Sequence, residues 1–419
     1  MASVTFLLTL VQDLLGDDLG KVQDYLFLVR LLWYVGSLGL VPGRKTVRRM
    51  QAVVPGAPTD RHGIERVLKD QPDAGRELLR LLGHKRLARV LARKCHRRVS
   101  IILDTTNLER TGKRMEGSFR FKDNTTNGFI LGHRTVVAIA LVGTTIVPLA
   151  CRLFIRKEDA RGLGAVYKSQ IDLAEELICE IPPMPKGVQV EVLADSFFFC
   201  KQLVNLCRDK GYVFTSRAKS NQTITGPGPG RRTSVAQKMK KLFARRQARP
   251  VTTRVRRRTR TFLVARRHHA YRGMGRINTI YSREKGKKHK PVALVTTDLE
   301  AMPEQVIQAT GRRWAIELFF RSCKQDLGMG HYQGRHWEGV NQHLQLVLVA
   351  HLLLSCAGDQ ALPDAGKSNT GDSLSGLQDL RAGRVRLQEA MVADLLGGAR
   401  TPGEARATVK RHVAMVFGP

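Results

Sequence analysis

The stretch that decides the fold is Val99-Ser100-Ile101-Ile102-Leu103-Asp104, a short continuous apolar run that ends in an aspartate. Such a run is typical of a strand buried on both faces of a sheet. A second strand is predicted at residues 188–194, and it too ends in an aspartate, Asp195. Functional groups gather at the carboxyl ends of strands in open α/β sheets. We therefore expect Asp104 and Asp195 to lie close together.

The segments around these two strands predict an α/β order. Further strands are predicted at residues 135–142, 145–154 and 212–216, and helices at residues 161–181 and 196–210. Three strands, a helix, a strand, a helix and a strand is the order of a ribonuclease-H-like core. The predicted fold class is therefore α/β, with this core flanked by an N-terminal helical domain and by C-terminal helices.

The composition changes abruptly at residue 217. Residues 231–290 contain 22 Lys and Arg but one acid, Glu284. Residues 251–256 and 260–266 alternate in the manner of strands with basic side chains outward. We interpret residues 217–290 as a basic, β-rich insertion that lies on DNA phosphates, with a disordered basic loop as the alternative. Its predicted DNA-binding residues are Arg256, Arg257, Arg258, Arg266 and Arg267.

A third acid, Glu317, lies after the insertion on a predicted helix with a basic face. On a helix, Arg313, Glu317, Arg321 and Lys324 fall within about 80° of one another. The apolar residues lie on the neighbouring face, which is what docking on a core requires. This pattern suits an acid that binds a metal beside bases that hold a polyanion. Exposed i,i+4 ion pairs on an ordinary amphipathic helix are the simpler alternative.

Composition points to nucleic acid as the partner. The chain of 419 residues has 70 Lys and Arg against 36 Asp and Glu, a formal charge of +34. A surplus of this size favours a polyanion, most plausibly DNA. The seven cysteines form no Cys-x-x-Cys pair and read as buried free thiols. The apolar segments predict core helices rather than a signal peptide or a membrane span. We expect a soluble, cytoplasmic protein associated with DNA.

Three carboxylates brought together predict a metal site. They would raise one another's pKa by repulsion, and divalent cations remove that conflict. Mg²⁺ accepts carboxylate oxygens while it keeps water and phosphate oxygens, and Mn²⁺ is able to substitute. Two such ions suit phosphoryl transfer, with Asp104 on both ions and Asp195 and Glu317 on one each. Arg313, Arg321 and Lys324 would then hold the phosphates of DNA.

These residues carry a resemblance to a known family. Ile102-Leu103-Asp104-Thr105-Thr106, Val192-Leu193-Ala194-Asp195-Ser196 and the segment from Arg313 to Lys324 resemble the motifs of DDE transposases of bacterial insertion sequences. The group concerned has a β-rich insertion in its core and a Tyr-Arg-Glu-Lys signature. Arg313, Glu317 and Lys324 occupy three of its positions, and Thr310 replaces the tyrosine. The resemblance covers roughly residues 99–333.

The resemblance implies a magnesium-dependent enzyme that cuts double-stranded DNA at the ends of an insertion sequence and joins the ends to target DNA. It also implies a homodimer that bridges two ends in a synaptic complex, and association with a bacterial nucleoid. Two alternatives remain: a transposase-derived DNA-binding protein without catalysis, and a stand-alone metal-dependent nuclease. The predicted segments are 1–97 (helical, DNA-binding), 98–216 (first part of the core), 217–290 (insertion), 291–333 (second part of the core) and 334–419 (C-terminal helices for assembly).

Overall fold

The computed structural model describes residues 2–16, 18, 25–54, 56–71, 73–93, 96–112, 114–122, 128–225, 232–256, 258–287, 289–361 and 374–397. These residues form a mixed α/β protein with one large mixed sheet and helices at both ends. The helices are α1 (Ala2–Leu15), α2 (Tyr25–Leu40), α3 (Val47–Val53), α4 (Arg61–Asp70), α5 (Ala74–Arg93), α6 (Lys157–Gly162), α7 (Gln170–Cys179), α8 (Lys201–Asp209), α9 (Val235–Ala244), α10 (Pro303–Arg312), α11 (Trp314–Gln325), α12 (Trp337–Ala361) and α13 (Leu374–Gly397). The strands are β1 (Arg98–Glu109), β2 (Phe119–Lys122), β3 (Phe129–Val142), β4 (Thr145–Phe154), β5 (Gln189–Ala194), β6 (Val213–Arg217), β7 (Thr223–Thr225), β8 (Arg232–Ser234), β9 (Arg249–Val255), β10 (Arg258–Tyr271), β11 (Gly275–Glu284) and β12 (Val292–Thr296).

The centre of the sheet has the strand order β4-β3-β1-β5-β6. β3 is antiparallel to both β4 and β1, whereas β1, β5 and β6 are parallel. β12 is antiparallel to β6 and leads on to β11 and β10 of the predicted insertion. The strands predicted from sequence are present, and the insertion strands extend the same sheet instead of forming a separate layer.

Three local predictions need correction. β1 does not end at Asp104 but continues to Glu109, because it keeps pairing with β3 after its pairing with β5 has stopped. The helix predicted at residues 161–181 is two helices, α6 and α7. Gly164 takes a left-handed φ of 62° between them, and a capping box of Ser169 and Asp172 starts α7. The insertion also contains a helix, α9, that alternating patterns could not indicate.

Helices from both ends of the chain pack together on the sheet. α12 contacts α5, α2 and α13 and lies against β4, and its central residues are buried in the main hydrophobic core. Its segment Trp337–Asp359 is long and apolar enough to cross a membrane, but 94% of the apolar window is buried inside the protein. We therefore describe α12 as a core helix. The predicted domain boundaries remain predictions.

The six cysteines within the described residues are free thiols. Four of them are buried, as the sequence predicted, while Cys200 is half-buried and Cys179 is exposed. Cys95 lies outside the described residues.

Candidate active site

Two neighbouring parallel strands place the two aspartates. The parallel register of β1 and β5 ends with Leu103 opposite Ala194, so Asp104 and Asp195 follow at the same edge of this part of the sheet. Asp195 begins a turn, in which the N–H of Phe197 donates to its Oδ1 at 2.9 Å. The structure thus brings together the two acids that the sequence predicted to lie close.

A helix junction brings the third acid to the same place. Arg313 lies between α10 and α11 with helical backbone angles, and Glu317 follows one turn later. Nη1 of Arg313 donates to Oδ2 of Asp104 at 2.5 Å, and its Nη2 donates to Oε1 of Glu317 at 3.0 Å. One guanidinium therefore bridges Asp104 of β1 and Glu317 of α11.

The apolar face of α11 fixes its position on the core, as the sequence predicted. Its docking residues Ile316, Phe319, Phe320 and Cys323 are all buried, and so is Leu327, which follows the helix. The polar face remains accessible, with Arg321 exposed and Lys324 half-buried. Burial of one face and solvation of the other hold Glu317 at the boundary between core and solvent.

Burial and charge repulsion both raise the pKa of Asp104. Burial raises its pKa from 3.8 to about 6, and the nearby carboxylates of Asp195 and Glu317 act in the same direction. The Arg313 guanidinium and the N–H of Thr105, which donates at 2.8 Å, oppose this rise but do not cancel it. Burial thus disfavours the ionised form of Asp104 in the free protein, and a cation bound beside it would stabilise that form.

This pKa predicts that Asp104 destabilises the metal-free protein at neutral pH. A carboxyl with a raised folded-state pKa binds protons more tightly when folded, so stability falls as pH rises from 3.8 towards 6. We expect Asp104→Asn to stabilise the protein in chelator by up to about 3 kcal/mol near pH 7.5, and by about half as much near pH 5. Urea unfolding of both proteins at the two pH values measures the difference. A stabilisation that does not depend on pH would contradict the prediction.

One arginine of the insertion lies beside this site. Arg256, in the turn between β9 and β10, places its guanidinium 4.0 Å from the ring centre of Trp314, the first residue of α11. The same turn approaches α10 closely, since a Cβ on Gly311 would lie 2.9 Å from a methyl of Val255. Its charge also acts on the site, because Glu317 and Arg313 both influence the pKa of Arg256.

The other predicted insertion arginines have varied surroundings. Arg258 is exposed, and Arg257 lies outside the described residues. Arg266 donates to the carbonyl of Leu299 at 2.5 Å, and Arg267 donates to the amide oxygen of Gln247 at 3.1 Å. A DNA contact by any of these side chains remains a prediction.

Sequence reasoning missed Arg217, the last residue of β6. Desolvation lowers its pKa, with a further decrease from Arg313 and an opposing effect of Glu317. It also lines an open cleft of about 560 Å³ with Ser196, the residue after Asp195. Since β6 is the parallel neighbour of β5, the strand-end rule that selected Asp195 could have found Arg217 as well.

A second group of possible metal ligands lies elsewhere. In the described part of the chain, Glu116, His336 and Glu338 have ligand atoms within 4.8 Å of one another. Oε2 of Glu116 accepts the N–H of Trp337 at 3.0 Å, and its Oε1 lies 3.3 Å from Nδ1 of His336. Glu116 thus accepts a backbone N–H at the start of α12, where such groups lack partners within the helix. This role at the helix terminus explains why the three side chains lie together.

Comparison with known proteins gives one finding on identity. Residues 98–353 match the family model described as "Transposase DDE domain". The match begins at the first residue of β1, runs through Asp104, Asp195 and Glu317, and ends within α12. A search of curated proteins finds no match to the chain. The resemblance inferred from the sequence motifs is confirmed.

Proposed function

The chain belongs to the transposase DDE-domain family, and on this premise we propose that it cuts DNA at the ends of an insertion sequence and joins those ends to target DNA. Transposition with DNA as the partner follows from the family. The observation that supports the finer proposal is the bridge from Asp104 through Arg313 to Glu317, beside Asp195. Asp104, Asp195 and Glu317 are the proposed catalytic residues.

A ribonuclease-H-like core is part of the proposal. Its support is the strand order β4-β3-β1-β5-β6, in which only the first three strands are antiparallel. In this order Asp104 lies on β1, and the parallel neighbour β5 ends one residue before Asp195. The insertion then enters the chain after β6, between Asp195 and Glu317.

The donor set fits divalent cations, which DDE transposases use. All three side chains offer carboxylate oxygens, the hard ligands that Mg²⁺ and Mn²⁺ accept. Burial disfavours the ionised form of Asp104, and a bound cation would stabilise that form. Asp104, Asp195 and Glu317 would together hold two such ions. Bound there, the ions would supply an activated attacking oxygen and stabilise the leaving one.

The chain's own side chains orient the reacting groups. Arg313 holds the carboxylates of Asp104 and Glu317 in one arrangement through charged hydrogen bonds. Arg321 and Lys324 continue the polar face of α11, and we assign them to the phosphates on either side of the cut. Arg256 approaches this face from the insertion. We also propose that the protein acts as a homodimer that bridges two DNA ends. Its proposed location is the cytoplasm, beside the nucleoid.

Lys324 offers a test of the phosphate assignment. We expect Lys324→Ala to weaken DNA binding and cleavage, and to reduce the slope of log affinity against log salt by about 1, because one phosphate contact is lost. Mn²⁺ affinity should stay unchanged, since Lys324 is not a metal ligand. Lys210→Ala is the matched control, because this exposed lysine ends α8 at the opposite edge of the parallel strands. A variant that lost Mn²⁺ binding would contradict the assignment.

The proposal itself is tested with DNA that carries the sequences flanking the gene. The full-length protein is incubated with this DNA in Mg²⁺, in Mn²⁺ and in chelator, and the products are resolved on denaturing gels. Cutting followed by joining, in metal only, supports the transposase. Cutting without joined product indicates a nuclease. Tight binding without cutting, on alternative end sequences as well, would leave a DNA-binding protein without catalysis.

A further inference from the structure

An ion pair with a buried carboxylate lies beneath the junction of α10 and α11. Glu191, in the middle of β5, is 5% exposed. Its Oε2 accepts a hydrogen bond from Nη2 of Arg312, the last residue of α10, and its Oε1 accepts one from Thr215 of β6 at 3.2 Å. Nε of Arg312 donates to Oγ of Ser100 on β1 at 3.2 Å. One arginine thus ties the helix junction to the strands below it.

The partners of Arg312 lie on the two strands that lead to the aspartates. Ser100 precedes Asp104 by four residues on β1, and Glu191 precedes Asp195 by four residues along β5. Residues four apart in a strand lie on the same face, separated by roughly 13 Å. Arg312 is therefore anchored on the face of β1 from which Asp104 projects.

The next residue reaches the site itself. Arg313 donates to Asp104 and Glu317, whereas Arg312 donates to Glu191 and Ser100. Two adjacent arginines thus attach one helix junction to β1 at two points. A buried carboxylate without its cation is strongly unfavourable, so the Glu191 contact resists any rotation or shift of the junction.

We infer that Glu191 and Arg312 are positioning residues for the DNA-cutting site, and that their ion pair sets the start of α11 so that Glu317 faces Asp104. The inference rests on the acids assigned in the proposed function. It assigns no contact with DNA or metal to either residue. They affect metal binding and cleavage through the positions of Arg313 and Glu317.

Divalent-cation binding by the full-length, DNA-free protein tests the inference apart from activity. Calorimetric titration with Mn²⁺ alone compares wild type, Glu191→Gln and Glu317→Ala, each well below its unfolding temperature. Groups that orient metal ligands typically change metal affinity by about 10- to 100-fold when removed. We expect Glu191→Gln to lose about 10-fold in Mn²⁺ affinity and in single-turnover cleavage, with DNA affinity unchanged.

Glu180→Gln is the matched control. Glu180 also accepts hydrogen bonds from arginines, but it follows α7, and these arginines, Arg76 and Arg152, belong to α5 and β4 rather than to the α10–α11 junction. A purely structural role for Glu191 predicts that both Gln variants lose stability and keep wild-type Mn²⁺ affinity and cleavage rate. That result overturns the inference. Reduced Mn²⁺ affinity in Glu191→Gln alone supports it.

Two further outcomes keep the test decisive. If Glu191→Gln does not fold, Ser100→Ala replaces it, because it removes only the contact with Nε of Arg312. Weaker Mn²⁺ binding by that variant supports the inference, and unchanged binding overturns it. If the wild type binds Mn²⁺ but cuts no DNA, the proposed function fails, while the comparison of Mn²⁺ affinities still decides the role of Glu191.

Discussion

Asp195→Asn is expected to abolish DNA cutting and joining while DNA binding persists. An amide is a poor ligand for Mg²⁺, so transition-state stabilisation of several kcal/mol is lost, which is about 10³-fold or more in rate. The fold of the turn should survive, because Oδ1 of the asparagine can still accept the N–H of Phe197, which lies 2.9 Å from Oδ1 of Asp195. Single-turnover cleavage in Mg²⁺, with DNA affinity measured in parallel, checks the prediction.

Asp209→Asn provides the matched control for this variant. Asp209 is exposed at the end of α8, near the edge of the parallel strands opposite to Asp195. The same chemical change there should leave cleavage, joining and DNA binding at wild-type values. An Asp195→Asn protein that cuts at the wild-type rate would remove Asp195 from the proposed catalytic residues, even if cleavage still required a metal.

The largest expected effect on stability comes from Phe319→Ala. Phe319 is 0% exposed and packs edge-on against His351 of α12, with ring centres 4.7 Å apart. Truncation of a buried phenylalanine typically costs about 3–5 kcal/mol, because apolar contacts are lost and a cavity remains. This is a large fraction of the roughly 5–15 kcal/mol that stabilises a typical protein. The urea midpoint should fall accordingly, and cleavage should fall with it as α11 loosens.

Phe129→Ala is the control that separates the effect of losing a buried side chain from the effect of losing an aromatic ring. Phe129 begins β3 and is 66% exposed, so its replacement should change stability by no more than about 0.5 kcal/mol. Equal effects of the two substitutions would mean that α11 is not docked through Phe319. In that case the position of Glu317 would need another explanation.

Much of the fold was predictable because its signals are local. The apolar run of residues 99–103 marked β1, since a strand buried on both faces needs apolar residues at nearly every position. Helical periodicity separated the buried face of α11, including Phe319 and Cys323, from its polar face. Features that depend on other segments were not predicted. The continuation of β1 past Asp104, for example, depends on its pairing with β3.

The site was predictable as a set of residue types but not as a set of contacts. Arg313 was expected on DNA phosphates, and in the free protein its guanidinium bridges Asp104 and Glu317. Arg256 was one of five insertion arginines predicted to bind DNA, and only the turn between β9 and β10 places it on Trp314. Helical spacing relates Arg313 to Glu317, but no sequence pattern states which side chains from separate elements share a hydrogen bond.

The sequence by itself indicated the family, the main strands of the sheet and three candidate acids, because each depends on motifs or on periodicity within one segment. The tertiary structure alone decided how these acids meet. The parallel register of β1 and β5 aligns Asp104 with Asp195, and the burial of one face of α11 brings Glu317 to them. The pairing of Glu191 with Arg312 likewise depends on the tertiary structure. The two charges are 121 residues apart in the chain, and only the folded core buries the Glu191 carboxylate and places the Arg312 guanidinium against it.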